Sequence, residues 1–126
     1  MRERLMQYIR EQYGAQPEYL WARYPNYAVF RHDDNRKWFA LAASVPRDRL
    51  GLCGQEPVDV VNLKPGDPLL VDLLVRRDGF FPGYHMHHGN WITVLLDGTV
   101  PFEEVTSLLD RSFAATANRR GRKETK

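Results

Sequence analysis

The side chains best suited to chemistry lie close together in this chain. Between Gly79 and Gly98 it carries His85, His87, His88 and Trp91, with Tyr84 and Met86 among them. Pro82-Gly83 opens the stretch, Gly89-Asn90 interrupts it, and Asp97-Gly98 closes it with a strong turn signal. The pattern predicts a hairpin with strands over 83–88 and 91–96, its imidazoles and indole near the tip. Residues i and i+2 of a strand share a face, so His85 and His87 could offer two nitrogens to one ion. Zinc takes roughly three or four ligands. His32 and Cys53 lie elsewhere in sequence and no second cluster is evident. No metal site and no cofactor are expected; the hairpin tip reads as polar surface, with Tyr84, His85, His87, His88 and Trp91 as candidate nucleic-acid or ligand contacts.

Cys53 is the single cysteine. It cannot form an intramolecular disulfide, which suits a reducing compartment. As a nucleophile it would need a base and an orienting partner. Neither can be assigned, so no catalytic residue and no enzymatic activity are expected. The aromatic residues are the better lead. On the strand after Gly89, Ile92, Val94 and Leu96 share one face, and Trp91, Thr93 and Leu95 share the other. If the first set meets the helices, Trp91 lies on an open face near Tyr84 and Met86. Exposed rings beside cations suit base stacking or a ligand groove. Lys37 and Lys64 are candidate phosphate contacts. So are Arg119, Arg120, Arg122 and Lys123 of the last ten residues, which would add salt-dependent, non-specific affinity.

Charge tempers a nucleic-acid reading. The net charge is +2 over 126 residues. The last ten residues carry +4, which leaves −2 on residues 1–116. The basic balance therefore belongs to the tail, and the body lacks the broad cationic footprint of a typical DNA-binding domain. Met1–Leu5 lacks the apolar run of a signal peptide. No apolar run approaches membrane-spanning length. A cytoplasmic protein with no membrane partner is expected.

The elements that must position these residues follow from periodicity. Leu5, Ile9 and Tyr13 mark a helix over 2–13, stopped by Gly14. Strands are predicted over 27–32 and 37–42 around an Asp33-Asp34-Asn35 turn. Residues 44–57 read as loop, and 58–63 as a third strand. Asp67-Pro68 starts a helix by an N-cap acceptor and a proline in the first turn. That helix is expected to point Leu69, Leu70, Leu73 and Leu74 inward, with Arg76 and Arg77 in its last turn. Pro101 opens a last helix with Phe102, Val105, Leu109 and Phe113 as its stripe. The order α-β-β-β-α-β-β-α predicts an α+β fold: a two-layer sandwich with an antiparallel sheet of about five strands and one open face. Residues 1–116 form the single expected domain, and 117–126 a basic, disordered tail.

Several of these segments together resemble the MmcQ/YjbR family. They are Val61-Asn62-Leu63-Lys64, the helix after Asp67-Pro68, Pro82-Gly83-Tyr84-His85-Met86, Trp91-Ile92-Thr93-Val94, Leu96-Asp97-Gly98 and Ser112-Phe113. The resemblance spans roughly residues 2–114. It implies a small bacterial domain with a CyaY-like, secretion-chaperone-like fold, and DNA binding through a double-wing arrangement. The family commonly has Asn-Lys after His-Met, where this chain has His87-His88. The resulting expectation is a non-enzymatic binding module with DNA as its nominal partner. The alternative is a chaperone-like module that binds a protein or small ligand through the open sheet face.

Overall fold

The computed structural model describes residues 1–84, 86 and 90–117. Helix α1 (Arg2–Tyr13) buries Leu5 and Ile9 and ends at Gly14, whose left-handed φ of 66° lets its N–H reach the Arg10 carbonyl. Strands β1 (Ala28–Arg31), β2 (Trp38–Pro46) and β3 (Pro57–Leu63) follow, with a 3-10 turn at Arg47–Leu50 between the last two. Helix α2 (Pro68–Leu74) is capped by the Asp67 carboxylate, which accepts from the Leu69 N–H. Strands β4 (Phe80–Pro82) and β5 (Ile92–Leu95) precede helix α3 (Phe102–Thr116). The sheet has five strands in the order β1-β2-β3-β5-β4, and every pairing is antiparallel. Element order, fold class and the helix over 2–13 are as the sequence predicts.

The sheet separates two apolar layers. On one face Phe30, Phe39, Val61, Leu63, Ile92 and Val94 pack with Leu5 and Ile9 of α1, Val71 and Leu74 of α2, and Val105 and Leu109 of α3. Ile92, Val94 and Leu96 thus face the helices, as their alternation requires. The opposite face is not bare. Val29, Leu41, Ala43, Val45, Val60 and Leu95 form a second buried cluster there with Tyr27. Partly buried Trp21, Trp38, Leu50, Leu52, Phe81, Tyr84 and Met86 pack against it. Irregular segments supply most of that cover.

Four local expectations are corrected. Residues 44–46 continue β2, because Leu41, Ala43 and Val45 sustain its alternation and the β2–β3 ladder runs to Pro46 opposite Pro57. In α2, Leu69 and Leu73 are exposed, while Val71 and Leu74 are buried. A helix of seven residues presents only one turn to the core, and the 71/74 spacing takes it. Arg76 and Arg77 lie beyond the helix; Arg77 makes a two-pronged ion pair with Glu104 of α3, at 2.6 and 2.9 Å. The strand expected over 83–88 instead lies at Phe80–Pro82, where Pro82 pairs with Ile92. Gly83 donates to the Trp91 carbonyl, and the chain then turns. A Cβ on Gly83 would stand 2.8 Å from Cβ of Trp91, so the close approach requires glycine.

Candidate ligand-binding site

Antiparallel register brings several of the candidate residues to one end of the sheet. Phe30, Ala40, Leu63, Ile92 and Pro82 form one row across the five strands. Lys37, Lys64, Trp91 and Tyr84 all lie just beyond that row. The end of α3 reaches the same place, because Asn35 donates to the Thr116 carbonyl at 2.9 Å. Lys37 is exposed and Lys64 half-buried. The Lys64 N–H donates to Oγ of Ser112, which itself donates to the Phe39 carbonyl, so the β3 end is tied to α3. His85, His87 and His88 lie outside the described residues, as do Arg119, Arg120, Arg122 and Lys123.

Trp91 departs from its expected role. It is only 8% exposed and is not among the residues that line the concavity described below. Its Cβ lies close against Gly83. Thr93, two residues on, is fully buried and anchors a polar triad. The Thr93 hydroxyl donates to Oδ1 of Asn62 at 2.5 Å and accepts from the Tyr84 N–H at 2.8 Å. Asn62 donates in turn to the Tyr84 carbonyl at 2.9 Å. Both backbone polar groups of Tyr84 are therefore satisfied from the sheet, which fixes where the 83–91 connection leaves it.

The rings that line a concavity are others. Trp21, Tyr24, Tyr27, Trp38, Leu41 and Met86 enclose about 320 Å³ on the sheet face away from the helices. Two devices bring them together. Glu18 pairs with Val29 through reciprocal backbone hydrogen bonds of 2.9 Å, so the segment that follows is held along the outer edge of β1. The Glu18 carboxylate also grips Arg31 at 2.5 Å, with Arg36 at 3.6 Å, and the Arg31 hydrogen bond holds its pKa below the usual carboxylate value. The second device is a β-bulge. Phe30 pairs with Ala40 and Arg31 with Trp38, leaving Phe39 as the extra residue. Phe39 and Ala40 both enter the helix-side core, and Trp38 turns to the opposite face. Unbroken alternation would have put Trp38 on the helix side with Ala40.

The rings meet at steep angles. Trp21 lies 5.7 Å from Trp38 at 84° and 5.9 Å from Tyr27 at 77°. Tyr24 stacks on Tyr27 at 4.9 Å and is 45% exposed. Burial, with Tyr84 and Tyr24 nearby, raises the Tyr27 pKa above the ordinary phenol value, against a smaller opposing effect of the Arg49 charge. Tyr27 is therefore a neutral ring at physiological pH. Among the described residues the lining contains no carboxylate, imidazole, thiol or cation. The sequence did hold a signal for this site. Tyr19, Trp21, Tyr24 and Tyr27 crowd a segment with neither helical nor strand period. Such ring density in irregular chain calls for a tertiary explanation.

Cys53 is exposed in the β2–β3 connection. Among the described residues no three His, Cys, Asp or Glu side chains converge in a way that could hold a metal ion. No described helix is long and apolar enough to cross a membrane.

An antiparallel five-stranded open sheet, with helices on one face and a loop-lined aromatic concavity on the other, defines a small two-layer α+β domain. Sequence and structure place it among known proteins. The YjbR family model matches residues 10–115, and the chain belongs to that family. It is 40% identical over 115 residues to the uncharacterised protein YyaQ of Bacillus subtilis, covering 91% of this chain and 97% of that one. A crystal structure of a Pseudomonas syringae protein superposes with a TM-score of 0.89 at 41% identity, covering 93% of this chain and 99% of that one. A Deinococcus radiodurans protein with a DUF419 domain shares the fold, with a TM-score of 0.62 at 24% identity over 87% of this chain and 76% of that one.

Proposed function

We propose that this YjbR-family chain is a non-enzymatic binding module whose site is the aromatic concavity on the loop-covered sheet face. The observation that carries the reading is the convergence of Trp21, Tyr24, Tyr27 and Trp38 with Leu41 and Met86 around about 320 Å³. That volume is at the lower end of small-molecule pockets, roughly 300–1,000 Å³. Among the described residues the lining offers partly buried rings and sulfur rather than carboxylate, imidazole or thiol groups, which suits holding a small organic group more than transforming it. The β-bulge supports the same reading, because it moves a tryptophan out of the core and onto a partly exposed wall.

Titration of the full chain with a library of small ring-bearing and alkylammonium compounds, followed by amide NMR, tests this. Shifts should concentrate at Trp21, Tyr24, Tyr27, Trp38, Leu41 and Met86. Shifts confined to other surfaces would overturn the assignment.

DNA binding is the second reading, and one arrangement favours it. Lys37, Lys64 and the end of α3, from which residues 117–126 continue, gather at a single end of the sheet. On this reading the tail supplies most of the phosphate contacts. Removing residues 117–126 should then abolish most binding to duplex DNA and flatten its salt dependence. Equal affinity and an equal salt slope in the truncated chain would place the contacts in the body.

A further inference from the structure

Ring orientation narrows what the concavity can hold. A flat ligand is best held in a slot between near-parallel rings, face against face. Here Trp21 stands at 84° to Trp38 and 77° to Tyr27, and the parallel pair, Tyr24 and Tyr27, is already in contact at 4.9 Å. Rings turned across one another form a box. A box presents π-faces from several directions to a compact, roughly spherical group, and those faces carry the negative part of the ring quadrupole. Methyl-bearing ammonium groups have that shape and sign, and their methyls are poorly hydrated enough to enter an apolar lining.

No cation of the protein occupies the box among the described residues. The cation–π contacts pair Arg4 with Phe102 and Arg77 with Phe80, both away from these rings. The described lining carries no formal charge. Tyr27 stays a neutral ring, so attraction must come from the quadrupoles rather than from a phenolate. Met86 and Leu41 complete the enclosure with soft apolar surface.

We propose that the box formed by Trp21, Tyr24, Tyr27 and Trp38 binds a methylated ammonium group, of the kind carried by choline-type molecules or trimethylated lysine. This rests on the reading of the concavity as a binding site, and it goes further by assigning the ligand's charge and shape. Arg49 lies outside the lining, yet its charge reaches the Tyr27 hydroxyl. Removing that charge should strengthen binding of a cation.

The decisive comparison uses choline chloride and 3,3-dimethylbutan-1-ol, its neutral isostere with carbon in place of the quaternary nitrogen. Both are titrated calorimetrically into the full chain, with indole as a flat-ring probe. Choline should bind, with the isostere weaker by roughly tenfold. Trp21→Leu and Trp38→Leu should each weaken choline by several-fold while the isostere changes less, and Arg49→Gln should tighten choline. Nuclear Overhauser contacts between the choline methyls and the Trp21 and Trp38 ring protons give a check on the unmodified chain that needs no variant to fold. Equal binding of choline and the isostere overturns the proposal, as does the absence of those contacts at saturation. Indole binding at these rings without choline overturns the cation assignment and leaves the site standing. Binding of neither probe removes both. A trimethyl-lysine peptide compared with its unmodified form separates the sources: preference for the peptide over choline assigns a protein partner, and the reverse a small molecule.

Discussion

The two faces of the sheet use the same residue types for different ends. On the helix side, large apolar groups such as Phe30, Phe39, Leu63 and Ile92 are fully buried under three helices. On the other side, buried Val29, Val60 and Leu95 are overlaid by rings that stay partly exposed, and irregular segments hold those rings in place. Close packing under the helices leaves no room for a ligand. Cover by loops gives up some burial and leaves a concavity. On the proposed reading, stability and binding are thus divided between faces, and the central strands serve both through alternation.

The largest expected effect tests that division directly. Phe30→Ala should cost about 3–5 kcal/mol in a urea melt. Trp91→Ala should fall in the same range, since Trp91 is only 8% exposed. Trp38→Ala, which removes a half-buried ring, should cost about 1–2 kcal/mol. A Trp38 loss as large as that of Phe30 would break the comparison and make the loop-covered face a second structural core.

An intermediate effect concerns how the loop-covered face is held together. Asn62→Ala removes the acceptor of the buried Thr93 hydroxyl and the donor to the Tyr84 carbonyl. The cost should be about 1–3 kcal/mol. Amide exchange should accelerate around Tyr84 and Trp91 far more than in β1 or α3. Uniform acceleration over both faces would show that the triad supports the whole domain and not only the 83–91 connection.

The smallest effect is electrostatic. His32 is buried against Phe39 and Phe113, and its Nε2 lies 2.8 Å from Oγ1 of Thr116. Burial lowers its pKa below the ordinary imidazole value, outweighing the opposing pull of Asp34, Asp33 and the Phe113 carbonyl; Lys37 acts in the same direction as burial. The neutral form is therefore favoured in the folded state. Above the unfolded-state pKa of about 6.5 both states are neutral and stability is at its full value. As pH falls through about 6.5 toward the lower folded-state pKa, the unfolded chain binds the proton more readily and stability declines. His32→Gln should flatten this slope between about pH 7 and 5. An unchanged slope would place the titrating group elsewhere.

Local physics made much of this protein legible in its sequence. Apolar spacing marks α1 and the face of α3, the Asp67-Pro68 cap marks the start of α2, and alternation in Ile92, Val94 and Leu96 names the face of β5 that meets the helices. Each is a relation between residues a few positions apart, and each holds in the fold. The same rules failed where a local pattern had two solutions. Leu69 and Leu73 have the spacing of an inward stripe, but the short α2 docks by Val71 and Leu74 instead. Residues 83–88 have strand-like composition, but among the described residues the pairing with β5 ends at Pro82, where Gly83 meets Trp91.

The candidate site lies wholly in that second category. Trp91 stands just before β5 and is buried, and alternation cannot say whether a residue there is covered. Trp21, Tyr24, Tyr27, Trp38 and Met86 come from the edge segment, β2 and the 83–91 connection, and no periodicity links them. Their meeting depends on the Glu18–Val29 bridge and on one extra residue in β2. The bulge reverses which side Trp38 faces, and its cause is the fit of Phe39 between α3 and β1, a contact between residues far apart in the chain. Sequence alone determined the elements and the helix-facing core, because propensity and amphipathicity act over one or two turns. Which rings converge was decided by tertiary structure, because the path of an irregular segment and the place of a bulge are set by packing across the whole domain.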